Sequence, residues 1–134
     1  PPATPMGTYV EAARVGKLMF LAGHGECPVT VTGKVGATLT TEQGAASAER
    51  VGLCMLATLK RELGSLDRVK RFVRVQGLVN ATPDFTQHPQ VVNGFSNLMV
   101  LAFGDAGKAP RAAVGVASLP MNIPVEIEAV VELK

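Results

Sequence analysis

The stretch Pro110-Arg111-Ala112-Ala113-Val114-Gly115-Val116-Ala117-Ser118-Leu119-Pro120-Met121-Asn122-Ile123-Pro124-Val125-Glu126-Ile127-Glu128-Ala129-Val130-Val131-Glu132-Leu133 decides how the chain is read. In its second half Val125, Ile127, Ala129, Val131 and Leu133 alternate with Glu126, Glu128, Val130 and Glu132. A period of two marks a strand with one apolar face and one mainly acidic face. Residues 111–118 read as another strand, and the turn-rich residues 119–124 between them predict a closing hairpin. Symmetric pairing of that hairpin sets Arg111 opposite Glu132, Ala113 opposite Val130, Gly115 opposite Glu128 and Ala117 opposite Glu126.

Small residues facing glutamates leave space above the carboxylates. A guanidinium at the edge of that space can bind a small carboxylate through two hydrogen bonds, and a glutamate in its wall can place a water or move a proton. The plain structural reading of the same residues is a wet sheet face on which Arg111 and Glu132 form an ordinary cross-strand ion pair. In this register Arg111 and Glu126 stand about six residues apart, or roughly 20 Å. One small substrate reaches both only across a bulge, a shifted register or a neighbouring chain.

Upstream of this stretch, residues 7–15 read as a short extended segment and residues 17–22 as a buried strand. Residues 26–39, with Pro, Thr and Gly between isolated Val residues, read as an irregular loop with a turn near Gly33. Thr40 and Gln43 have capping-box spacing, and Ala45, Ala48, Gly52, Met55, Leu56, Leu59 and Leu63 follow on one helical face before the stop at Gly64. Residues 69–80 form a strand with Val73, Val75 and Val79 on one side. Pro89 opens a second helix with Val92, Phe95, Leu98, Met99, Ala102 and Phe103 inward and Gly104 as its cap. The order β-β-α-β-α-β-β predicts an α+β domain whose two helices cover one face of a mixed or mostly antiparallel sheet.

With 134 residues, 47% apolar and 18% charged, the chain suits a single domain, residues 1–134, with no repeat or linker. Thirteen basic against eleven acidic residues give a net charge of only +2 without a basic stripe, which argues against duplex or membrane binding. No apolar run approaches the roughly 20 residues of a bilayer span. Residues 1–5 lack the Met, cationic segment and apolar core of a signal peptide, as expected of a cytoplasmic protein with a trimmed start. With no Trp, one Tyr and five Phe the core is aliphatic, and part of the apolar surface is expected between subunits of an oligomer.

Cys27 and Cys54 have the number for one bridge but no secretory context, so Cys27 reads as an incidental loop residue and Cys54 as a small core hydrophobe in a reducing compartment. His24 and His88 lie at no recognised metal spacing, so no metal site is expected. Gly23-His24-Gly25 is too short for a phosphate loop, and no nucleotide cofactor is indicated. The serines lack a nucleophile-elbow context.

The Arg111 strand, Leu119-Pro120 and the Glu126-Ile127-Glu128-Ala129 strand together resemble the hallmark of the RidA/YjgF family, formerly called endoribonuclease L-PSP. Gly7-Thr8-Tyr9-Val10, Ala22-Gly23 and Val92-Asn93 are similar to further family positions in the expected order, so the resemblance runs over nearly the whole chain. It implies a chorismate-mutase-like domain, a homotrimer with ligand sites in the clefts between subunits, and cofactor-independent hydrolysis of enamines and imines such as 2-aminoacrylate to 2-keto acids and ammonia.

Carried over by residue, the resemblance makes Arg111 the carboxylate clamp and Glu126 the group that orients water or relays a proton. Tyr9, Gly23, Asn93 and Ala113 then line the cleft. Ala113 stands where the family commonly has Cys, leaving only its backbone, and Ala22 and His24 replace the usual Ser and Gln, which marks a divergent branch. The same residues suit an alternative, a trimeric module that binds a small keto acid without turnover. A ribonuclease fits less well, because neither a basic groove nor an aromatic stacking platform is visible.

Overall fold

In the computed structural model, which describes residues 2–134, five strands form one mixed sheet and two long helices lie against one of its faces. The strands are β1 (Ala12–Val15), β2 (Leu18–His24), β3 (Val69–Asn80), β4 (Arg111–Val116) and β5 (Val125–Leu133), in the spatial order β1-β2-β5-β3-β4. The helices are α1 (Thr41–Leu63) and α2 (His88–Phe103). The element order and the one-sided helix layer agree with the sequence pattern.

Helix α1 starts where its capping box stands. Thr40 Oγ1 accepts from Gln43 N–H at 3.1 Å while Gln43 Oε1 accepts from Thr40 N–H at 2.8 Å, which satisfies two otherwise orphaned donors. It ends at Gly64, whose φ of 82° puts the cap in the left-handed region. Ala48, Met55 and Leu59 are buried as the period predicts, joined by Val51 and Thr58. In α2, Val92, Phe95 and Met99 are buried with Val91, while Ala102 faces outward.

Strand β5 lies in the middle of the sheet. Its apolar face, Val125 to Leu133, is buried under the helices, and its acidic alternation lies on the uncovered face. It pairs antiparallel with β2 on one side and with β3 on the other. The predicted hairpin between residues 111–118 and β5 therefore does not form. Instead β4 pairs parallel with β3, Val75 opposite Arg111, Gly77 opposite Ala113 and Val79 opposite Gly115. The reason lies in the connections. Helix α2 carries the chain back so that β4 starts at the same end of the sheet as β3 and runs parallel to it, as a crossover demands, and residues 117–124 then carry it across to the slot between β3 and β2. A strand whose whole apolar face is buried gains most from neighbours on both sides.

Two smaller departures have local causes. Only Ala12–Val15 of the extended start becomes a strand. In β3 a register shift between Phe72 and Arg74 turns Phe72 inward and leaves Val73 half-buried, so the inward residue is the aromatic one.

Cys27 and Cys54 form a disulfide with a Cα–Cα distance of 5.8 Å. This corrects the reading of two independent thiols. The buried side of α1 that carries Cys54 passes directly beside the loop after β2, a proximity that the sequence does not display. Among the described residues no helix is long and apolar enough to cross a membrane.

Candidate functional site

Strand β2 carries a bulge between Leu21 and His24, where its pairing with β5 shifts register. Glu126 of β5 lies against this bulge. A Cβ placed on Gly23 would come within 2.6 Å of Glu126 Oε2, so only glycine leaves room for the carboxylate there. Glu126 is partly buried, and burial, reinforced by the neighbouring charge of Glu128, raises its pKa above the ordinary carboxylate value. A carboxyl shifted in that direction exchanges protons closer to neutral pH.

Glu126 and Gly23 line a cleft of about 510 Å³ together with Tyr9, Glu11, the loop from Gly25 to Val29, and the Pro120–Ile123 turn. Its far wall is apolar, contributed by Met6, Val29, Met121 and Ile123. Met121 and Asn122 adopt φ of 56°, a left-handed conformation that Asn tolerates and Met rarely adopts, and Met121 is half exposed at the rim. The Tyr9 hydroxyl accepts from Met6 N–H at 3.1 Å, which folds the amino-terminal segment along the cleft.

The loop after β2 is held by two anchors. One is the disulfide. The other is Glu26, buried, whose Oε2 accepts from Thr30 N–H at 2.9 Å, Thr30 Oγ1 at 2.6 Å and Val31 N–H at 3.2 Å, while Oε1 pairs with Arg50 of α1. Burial pushes the Glu26 carboxyl up, but the Thr30 hydrogen bonds and Arg50 outweigh it and hold the pKa below the usual value.

His24 and Glu11 form a buried polar group under the bulge. His24 Nδ1 donates to Ala22 O at 2.7 Å, its Nε2 lies 2.9 Å from Thr58 Oγ1, and Glu11 Oε2 is 3.5 Å from the same Nε2. The sequence reading left His24 without a role and passed over Glu11 altogether. No periodicity flags either, because they meet only in the fold and the Thr58 that His24 contacts is on α1, thirty-four residues further along.

Arg111 belongs to a different part of the molecule. It begins β4, and its guanidinium donates to Ser96 Oγ at 2.9 Å and to Pro89 O at 3.2 Å, both on α2. Asn93 lies on the same face of α2 between these two residues, exposed. Among the described residues Arg111 makes no ion pair. The predicted partner Glu132 instead meets Arg71 at 2.9 Å and Lys70 at 3.8 Å. Partial burial lowers the pKa of Arg111 from its ordinary value, yet a guanidinium stays charged at neutral pH.

The six candidate residues therefore fall into two groups. Tyr9, Gly23 and Glu126 line the cleft, while Arg111, Asn93 and Ala113 belong to the β4–α2 edge. Arg111 and Ala113 are in register with Val75 and Gly77, on the helix-covered face. Glu126 is in register with Leu78, on the open one. The expectation that Arg111 and Glu126 share the acidic face is thus corrected. Two strand spacings, about 10 Å, three residues along the strand, roughly another 10 Å, and the thickness of the sheet separate them within one chain. No group of three or more His, Cys, Asp or Glu side chains among the described residues is arranged to hold a metal ion.

Fold and cleft define a two-layer α+β domain with an acidic, partly apolar site at the end of its central strand. The family described as "YjgF/chorismate_mutase-like, putative endoribonuclease" matches residues 3–133, and the chain belongs to that family. It is 39% identical to Protein TCP17 of Trypanosoma cruzi, over 98% of this chain and 84% of that protein. It is similar to the crystal structure of Atu1372 from Agrobacterium tumefaciens, a protein of unknown function, with 36% identity, a TM-score of 0.90 and coverage of 95% of this chain and 82% of the other. RidA from the Antarctic bacterium Psychrobacter sp. PAMC 21119 matches at 26% identity and a TM-score of 0.64, over 98% and 92% of the two chains.

Proposed function

We propose that the chain is a cofactor-independent enamine/imine deaminase whose site is completed by a second copy of itself, in a homotrimer. The observation that carries this reading is that a partly buried guanidinium, which makes no ion pair among the described residues, and a carboxyl whose pKa burial raises lie on opposite faces of one sheet. Neither half binds and hydrolyses a small imino acid by itself. Brought together across a subunit boundary, they supply what the reaction needs.

Arg111 and its charge hold the substrate carboxylate. Glu126 holds a water against the electrophilic C=N carbon, takes a proton as the C–O bond forms and returns it to the nitrogen as the C–N bond breaks, leaving a 2-keto acid and ammonia. Tyr9 and Asn93 border the ligand, Gly23 keeps Glu126 accessible, and Ala113 contributes its backbone alone.

The uncovered sheet face supports an oligomer. Tyr9 and Phe20 are each 46% exposed and Val10 66%, beside a smaller cleft that includes Arg74, Gln76 and Glu128. Closed symmetry around such a face is the usual arrangement for a homo-oligomer. Among the described residues no Lys or Arg lines the cleft, which favours a small substrate over RNA.

The test is a coupled assay in which a serine or threonine dehydratase generates the enamine and keto-acid release is followed. The wild type is expected to accelerate release, and Arg111→Ala to lower kcat/KM by about 100-fold, the cost of a charged bidentate contact. Decay at the spontaneous rate with wild type contradicts catalysis, and saturable binding of the keto acid without turnover would make the protein a metabolite-binding module.

A further inference from the structure

Met121 keeps a backbone conformation that its side chain disfavours. Its φ of 56° lies in the left-handed region, which glycine adopts freely and a residue with a long side chain rarely does. Non-glycine residues held in that region cluster at ligand sites, where the side chain has a use that outweighs the conformational cost. Met121 has no place in the core: it is 50% exposed and lines the cleft of Glu126 beside Ile123.

The turn that carries it is braced from two sides. Asn80, fully buried at the end of β3, donates from Nδ2 to Asn122 Oδ1 at 3.2 Å and to Ile123 O at 3.1 Å, and its backbone N–H donates to Pro124 O at 2.9 Å. From the loop before α1, Gly33 N–H donates to Asn122 O at 2.8 Å. Lys34 joins the two sides, because its ammonium donates to Asn80 Oδ1 at 2.7 Å and to Ala117 O. Both ends of the Asn80 amide are thereby engaged, and a satisfied buried network of this kind fixes one geometry. The turn therefore presents Met121 to the cleft as a set rim, with a pliable, polarisable thioether at its tip.

The chemistry of that rim suits an apolar group. Met121 stands with Ile123, Val29 and Met6 in the apolar wall, and Glu126 lines the same cleft. The cleft, of about 510 Å³, is in the range of sites that take ligands much larger than a three-carbon acid. We propose that Met121 is a specificity-determining residue, which receives the apolar side chain of the ligand. The inference rests on the deaminase reading and deepens it: the preferred substrate is an α-imino acid with a long or branched apolar side chain, ahead of the three-carbon 2-aminoacrylate type.

Two stable keto acids that differ only in the side chain test this, pyruvate and 4-methyl-2-oxopentanoate, titrated calorimetrically into the full chain. The wild type is expected to bind the branched acid about 10-fold or more tightly, the scale of three further apolar carbons partly buried. Met121→Gly removes the side chain and keeps the turn, because glycine accepts the left-handed backbone. It is expected to cut the affinity ratio at least about threefold, with the loss falling on the branched acid. Equal affinities in the wild type, a comparison that needs no variant, overturn the proposal, as does a ratio that Met121→Gly leaves intact. The dehydratase assay reports separately on the reading beneath it. Keto-acid release accelerated by the wild type, together with equal affinities, keeps the deaminase and removes the side-chain site. Release at the spontaneous rate, together with a ratio that Met121→Gly cuts, keeps the side-chain site and removes the deaminase. Binding of neither keto acid overturns the proposal, whichever way the assay turns out.

Discussion

Glu126 shows how one residue's environment sets its chemistry. Its carboxyl is held above the ordinary pKa by burial and by Glu128, so the folded protein binds a proton there that the unfolded chain has already released. The sign follows: this stabilisation is complete below the unfolded value of about 4.5 and is lost as pH rises through the higher folded value. Glu126→Gln, which keeps the shape and removes the charge, is therefore expected to raise the melting temperature at pH 7 and to lose that advantage toward pH 4. Thermal melts across this range check it. The same substitution is expected to lower kcat by about 100-fold or more, because a positioned proton-transfer group is lost. A rise in stability with a fall in activity is the signature of a functional carboxylate, and a purely structural ion-pairing residue would lose stability instead.

At the scale of elements, the sequence displayed whatever depends on neighbours in the chain. The Thr40 and Gln43 cap, the bounds of β3 and the alternation of β5 are local, and each is seen where the pattern places it. What depended on distant partners was hidden. The hairpin register rested on adjacency in sequence, whereas β4 is parallel to β3 and β5 is inserted beside β2. Glu11 lies just before β1, His24 on β2 and Thr58 on α1, and the anchors of the loop after β2 reach Arg50 and Cys54 of α1. Of the site, Glu126 and Gly23 were legible through the family hallmark, but their opposition to Arg111 across the sheet was not. Two packing contacts make predictions here. A Cβ on Gly94 would fall 2.0 Å from the Ala45 carbonyl oxygen, where α1 and α2 approach most closely, so Gly94→Ala is expected to cost about 3 kcal/mol in denaturant titration. The Cys27–Cys54 bridge spans 27 positions, so its reduction is expected to remove about 3–4 kcal/mol, or roughly 10 °C in Tm, measured with and without a reducing agent.

At the scale of the whole molecule, the proposed function gives each chain two half-sites, and a working site needs both. Among the described residues Arg111 has no counter-ion and no Lys or Arg lines the cleft of Glu126, and the sheet stands between them. Exposed Tyr9, Val10 and Phe20 lie on the face where a second copy would seat. The direct measurement is complementation. Arg111→Ala and Glu126→Gln, each inactive alone, are unfolded together, refolded as an equimolar mixture and assayed for imine hydrolysis. Recovery of about one quarter of the wild-type rate is expected, the share of boundaries that pair an intact Arg111 with an intact Glu126 under random assembly. A mixture as inactive as its two components, with mixed oligomers verified by mass spectrometry, would contradict it.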